Sequence, residues 1–215
     1  MKHSIILILI FISCSMDAQN LPATSIISES GFIADKDTSE DMITGTVLLS
    51  NYWVLDAIVH TVDSKTYLPK AINFNVELKT FVVKVAEDSL FTLDKTKVKS
   101  IEFNSKSFEI LNDKYYENVS KGKLNVYKEY FLSLIKGAID PISKSKISED
   151  KYVIKSKYFL NDNDALKEIR ISKKNILKLI AKEKVNDVKK FMKENKLSVK
   201  EDKDLRKIMA YYNSL

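Results

Sequence analysis

His60 is the only histidine beyond the first few residues, and Asp56 precedes it by four positions. A base held in place by a carboxylate is the chemistry such a pair offers. On a strand the two share a face, but four extended residues separate them by about 13 Å, beyond direct hydrogen-bond reach. The pattern therefore reads as a surface or edge histidine. A Ser-His-Asp triad would have to use the same histidine, and no nucleophile-elbow pattern accompanies it.

Carboxylates alone can hydrolyse a glycoside, and Glu77, Glu102 and Glu109 fall in segments that read as strands. Their alternation fits solvent-facing positions equally well. Asn161-Asp162-Asn163-Asp164 is rich in hard oxygen ligands, but it lacks the glycine and distant glutamate of a calcium loop, so it reads as a turn. The only cysteine is Cys14, which leaves the rest of the chain without thiolate ligands, redox pairs or disulfides. Four glycines in 215 residues leave no glycine-rich phosphate loop. No cofactor or metal is implied, and an enzyme is the less favoured reading.

Tyr52, Trp53 and Tyr67 lie in or beside adjoining strand-like segments and could present a ligand-binding platform, although core packing is the commoner fate of such rings. Charge is uneven. Residues 165–215 carry 15 Lys or Arg against 7 Asp or Glu, a net of +8, whereas the whole chain is +6. The lysines fall opposite the apolar stripes of helical patterns, as on a solvated face. Contact of these helices with an anionic membrane is the alternative; nucleic acid is disfavoured as a partner.

These residues must be positioned by a small set of elements. Residues 1–19 read as a signal peptide: Lys2, the apolar run Ile5 to Ile12, then small and polar residues to Asn20. The run is too short for a membrane anchor, which needs roughly 20 apolar residues. Two exits are open. Cleavage near Ala18 or Gln19 releases a soluble periplasmic or secreted chain. Alternatively, Phe11-Ile12-Ser13-Cys14 resembles a lipobox, and Cys14 would be lipidated in an outer-membrane lipoprotein. Residues 20–42 read as a flexible lead-in.

Residues 43–171 read as an antiparallel β-rich domain, with strands at Thr44–Leu49, Trp53–Val62 and Thr66–Phe74, and further strands at 107–111, 113–119, 123–131, 151–160 and 166–171. Phe131–Ile135 could instead be a short helical piece, and residues 136–150 form the best internal break. Residues 172–215 read as helical. Ser172 caps the first helix, Val185, Val188, Phe191 and Met192 line the second, and Ser198 with Glu201 forms a capping box for a third that buries Leu205, Ile208, Met209 and Tyr212. The fold class is α+β: an antiparallel meander, sandwich or open barrel, with a helical tail packed on it.

The run Val188-Lys189-Lys190-Phe191-Met192 through Ser198, then Asp204-Leu205 and Tyr211-Tyr212-Asn213, resembles the tail of uncharacterised secreted proteins of the Bacteroidota. Thr44-Gly45-Thr46-Val47-Leu48-Leu49 ahead of Trp53 is similar to their early strand. The resemblance implies compartment and lineage, and no catalytic residue. The expected role is a non-catalytic module that binds a protein or glycan of the cell envelope. A carboxylate-only hydrolase and a structural accessory anchored at Cys14 are the rivals. Mass spectrometry of the native chain is expected to find the mature N-terminus near residue 19 or 20. A lipidated Cys14 at the N-terminus would select the anchored rival, and a retained Met1 would contradict export.

Overall fold

Apolar and polar side chains alternate through most of the chain from residue 58 to residue 169, as a sheet with two unlike faces requires. A computed structural model describes residues 27–33, 43–86, 89–162 and 165–215. The export segment and Cys14 lie outside the described residues, as do Asn163 and Asp164 of the acidic turn. The described chain is α+β, with twelve strands followed by three α-helices. The strands are β1 (Ile27–Ile33), β2 (Ile58–Thr61), β3 (Thr66–Tyr67), β4 (Ile72–Asn75), β5 (Thr80–Ala86), β6 (Ser89–Leu93), β7 (Val98–Phe103), β8 (Lys106–Leu111), β9 (Lys114–Ser120), β10 (Asn125–Ile135), β11 (Lys151–Asp162) and β12 (Ala165–Ile169). The helices are α1 (Lys173–Leu179), α2 (Val185–Glu194) and α3 (Asp202–Ser214).

Two antiparallel sheets result. The smaller has the order β1-β6-β5-β4, and the larger β12-β11-β10-β9-β8-β7-β2-β3. From β7 to β12 each strand pairs with the next, giving the expected meander. Its tight turns are set by residue type. Asn104-Ser105 and Asn112-Asp113 all have positive φ, 50–61°, which fits two-residue turns whose twist matches the strands.

The two sheets close on one another through aromatic side chains. Phe81 of the small sheet lies edge-on to Phe103, Phe108 and Tyr115 of the large one, with ring centroids 5.1–5.3 Å apart. A second core forms where Val119 and Val126 meet Ile176, Val188, Met192, Leu205, Ile208 and Met209 of the helices. Both cores rest on one face of the large sheet, since Val126 in the second and Tyr130 in the first are an even number of residues apart on β10. A β-bulge adjusts β9 to this arrangement. Val126 pairs with Ser120 and Tyr127 with Asn118, so Val119 is the extra residue. Val119 packs among the helices while Ser120 accepts a hydrogen bond from Asn213 of α3 at 2.9 Å.

Several expectations are corrected. Thr44–Leu49 makes only isolated bridges, Thr44 to Lys151 and Leu48 to Asn75. Gly45 has φ +97° and lies so close to β11 that a Cβ would stand 2.4 Å from the Tyr152 carbonyl oxygen. The next strand begins at Ile58 rather than Trp53. Buried Asn73 holds the preceding segment as a loop, accepting from Ser50 N at 3.1 Å and donating to the carbonyls of Ser50 and Tyr52 at 2.8 and 3.1 Å. Leu55 is exposed whereas Ala57 is buried, so the two do not share a face as a strand from Trp53 would require. Within residues 20–42, Ile27–Ile33 forms a strand against β6. Phe131–Ile135 is strand, because β11 pairs with β10 to its end.

The tail follows its apolar stripes. Ser172 caps α1 by accepting from Asn175 N. The capping box of α3 does not form. Glu201 is the N-cap without a side-chain bond, and Ser198 N donates instead to Asp204 Oδ2 at 2.9 Å. Leu205 is fully buried in the second core. Leu205→Ala is expected to lower unfolding free energy by about 2–5 kcal/mol in urea titrations, the cost of a large core truncation.

Candidate functional site

The buried charges of the described residues gather where α3 crosses the large sheet. Phe108, Glu117, Lys128 and Tyr158 stand side by side on one rung across β8, β9, β10 and β11. Glu117 has no exposed surface. Its carboxylate accepts from the Tyr130 hydroxyl and from the Arg206 guanidinium of α3, and Lys106 Nζ lies 3.5 Å away. Lys106 also donates to the Tyr130 hydroxyl at 2.8 Å. Arg206 extends to the Asn118 carbonyl at 2.7 Å.

The same seam continues through Asp202, the first residue of α3. It accepts from Lys128 Nζ and from the Tyr158 hydroxyl. Lys128 lies over the rings of Tyr130 and Tyr158, 5.0 and 5.4 Å from their centroids, which joins the two halves by cation–π attraction. An anion at a helix N-terminus is also favoured by the helix dipole. Burial, then the nearby Glu117 carboxylate, pushes the Tyr130 phenol far up, so it remains a donor. Burial opposes ionisation of Asp202, but the bonds from Lys128 and Tyr158 outweigh it and hold the carboxyl below its usual value. Every charge on this seam has a partner of opposite sign or a hydroxyl. Its chemistry is that of a clasp between helix and sheet.

The far end of α3 is fastened as well. Asn213 donates to Ser120 Oγ and to the Lys121 carbonyl, both at 2.9 Å. A Cβ on Gly122 would stand 2.8 Å from Asn213 Cγ, and the residue has φ +140°, so glycine is required there. Tyr211 stacks on Phe191 at 4.1 Å, and Tyr212 is buried. The Tyr-Tyr-Asn ending thus serves packing.

The residues singled out from sequence are not brought together. Tyr67 is buried in the first core, Trp53 is half-buried, and Tyr52 is 60% exposed with its hydroxyl donating to Asn104 Oδ1 at 3.1 Å. His60 lies 3.4 Å from Glu102 and 3.4 Å from Thr66 Oγ1, at the surface. Glu109 pairs with Lys121 and accepts from Tyr127, and Glu77 is exposed in a turn. Among the described residues no three His, Cys, Asp or Glu side chains gather as a metal site. No described helix is long and apolar enough to cross a membrane. The lysines of α1, α2 and α3 are exposed.

A second feature lies at the opposite end of the sheet. From Val126, in the helical core, β10 runs nine residues to Ile135, about 30 Å. Beyond it the loop to β11 exposes Ile139, Ile142 and Ile147 by 63, 91 and 64%. Five of the twelve exposed large hydrophobic side chains among the described residues fall between Leu134 and Ile147. The loop is nevertheless ordered by its own hydrogen bonds. Asp140 Oδ1 accepts from Ile142 N and Ser143 N at 2.9 and 2.7 Å, which lowers its pKa. Asp150 takes Gly137 N at 2.8 Å and Lys136 at 2.7 Å.

No family model, curated protein or solved structure matches the chain.

The seam makes two predictions. Glu117→Ala leaves Arg206 and Lys106 without their shared anion and is expected to cost about 3–5 kcal/mol in urea unfolding. Asp202 has a lowered folded pKa, so its stabilising contribution is present above the unfolded carboxyl value near 3.8 and is lost as pH falls through the folded pKa. The difference in urea midpoint between wild type and Asp202→Asn is therefore expected to be open at pH 6 and to shrink progressively as pH falls from 3.8 through the folded pKa.

Proposed function

We propose that this protein is an exported, non-catalytic interaction module of the cell envelope, and that its contact point is the tip of the β10–β11 hairpin. The observation that carries this reading is the ordered tip itself. Exposed aliphatic side chains concentrated on one hydrogen-bonded loop are what an interaction site leaves visible in a free chain. The leader-like residues 1–19 and the resemblance of the tail to secreted Bacteroidota proteins support export. Lipidation at Cys14 would add an anchor to the same module without changing its contact point.

The hydrolase reading has less support. Two catalytic carboxylates must face each other across the scissile bond, one of them kept protonated by its surroundings. Glu102 has a side chain 59% exposed beside His60, and Glu109 is occupied by Lys121 and Tyr127. Glu117 is the best-buried carboxylate and it is fully committed to Arg206 and Tyr130.

A photo-crosslinking residue at position 142, expressed in the native envelope, is expected to trap an envelope component. The same residue at exposed Leu78 is the control and should trap none. Equal labelling at the two positions, or none at either, would remove the tip as the contact point.

A further inference from the structure

We infer that the partner of the β10–β11 tip is a lipid bilayer surface, into which Ile139, Ile142 and Ile147 insert at the headgroup–acyl boundary. This rests on the reading of the tip as the contact point. Four features favour lipid over a protein partner.

The first is backbone satisfaction. An N–H group carried into hydrocarbon without an acceptor costs several kcal/mol. Most of the tip's N–H groups, though not that of Ile139, meet this demand internally. Gly137 N and Ala138 N donate to Asp150 Oδ1 and Ser148 Oγ at 2.8 and 2.9 Å. Asp140 N donates to the Ser145 carbonyl, Lys144 N to the Asp140 carbonyl and Ile147 N to the Ala138 carbonyl, at 2.8–3.0 Å. Ile142 N and Ser143 N share Asp140 Oδ1, and Pro141 has no N–H to satisfy.

The second is composition. Between Leu134 and Lys151 there is no aromatic residue and no arginine, the types enriched at protein interfaces. The third is size. Three isoleucines on one loop fall well short of the roughly 800 Å² per partner of a stable protein interface, but they suit shallow insertion, about 5–10 Å deep. The fourth is placement. The tip projects beyond the first core, away from the helices. Its lysines, Lys136, Lys144 and Lys146, have long aliphatic stems that let their ammonium groups remain at the headgroup level while the isoleucines descend. Lys136 and Lys146 also pair with Asp150 and Glu149 at 2.7 and 2.8 Å, while the Asp140 carboxylate is held by the amides of Ile142 and Ser143.

The test reads the tip directly, so that membrane attachment through the N-terminus cannot stand in for it. The full chain carrying Cys14→Ser and Ile142→Cys is labelled with a polarity-sensitive fluorophore and mixed with phosphatidylcholine–phosphatidylglycerol vesicles. A chain carrying Cys14→Ser and Leu78→Cys is the control. The expected result is a blue shift and quenching by bilayer-resident quenchers at position 142 alone. Adding Ile139→Asp and Ile147→Asp should lower the inserted fraction ~tenfold or more, a loss of at least about 1.4 kcal/mol. The urea midpoint should not change, because these side chains are exposed. A probe at 142 that remains in water overturns the inference, as does insertion that survives the two aspartates. If the probe stays wet while the crosslinker at 142 traps an envelope protein, the lipid partner fails and the contact point stands. If neither reports contact, both fail.

Discussion

Burial of one carboxylate on the inner face of the large sheet constrains everything around it. Glu117 sits in phase with Tyr115 along β9, where an apolar side chain would ordinarily be. Removing a carboxylate from water is tolerable only when hydrogen bonds and opposite charge replace the lost hydration. β10 supplies Tyr130, β8 supplies Lys106, and only α3 supplies the guanidinium. The helix therefore has one rotation and one height at which Glu117 is satisfied. The bulge at Val119, Asn213 at the other end of α3 and the close approach at Gly122 all conform to that placement.

The seam also explains how one sheet face carries two different coverings. The small sheet brings phenylalanines, and the helices bring leucine, isoleucine and methionine. Between them lies a strip that neither layer covers with apolar groups. Lys106, Lys128, Tyr130 and Tyr158 fill it with long, amphipathic side chains whose stems or rings touch the cores while their ends meet the charges. Stability and specificity divide accordingly. Apolar burial holds the layers down, and the charged rung fixes where the helical layer sits. The β10–β11 hairpin then extends past the first core, leaving its tip uncovered.

Much of this frame was legible in the sequence. The strand-like segments at 107–111, 113–119, 123–131, 151–160 and 166–171 fall on β8 to β12, and the i, i+3, i+4, i+7 stripe of Leu205, Ile208, Met209 and Tyr212 marked α3. Two kinds of feature were not. The loop at residues 43–57 alternates like a strand, and it was the distant side chain of Asn73 that converted it. The seam joins residues 89 apart, and no local pattern pairs Glu117 with Arg206. A signal was nonetheless present: Glu117 and Lys128 are charged residues at positions in phase with Tyr115, Val126 and Tyr130. Charge in an apolar phase marks a side chain that must find its partner inside. The tip was read as a break on Gly137, Pro141 and its alternation of serine and lysine, and a loop shaped by Asp140 and Asp150 needs no apolar period.

The charged rung makes sheet and helical tail one cooperative unit. Native-state hydrogen exchange tests it most directly, since each amide reports the opening free energy of its own segment. The core amides of α3, around Leu205 to Met209, are expected to open with the same free energy as those of β9 and β10. Exchange of α3 through a local opening well below that of β9 would contradict it.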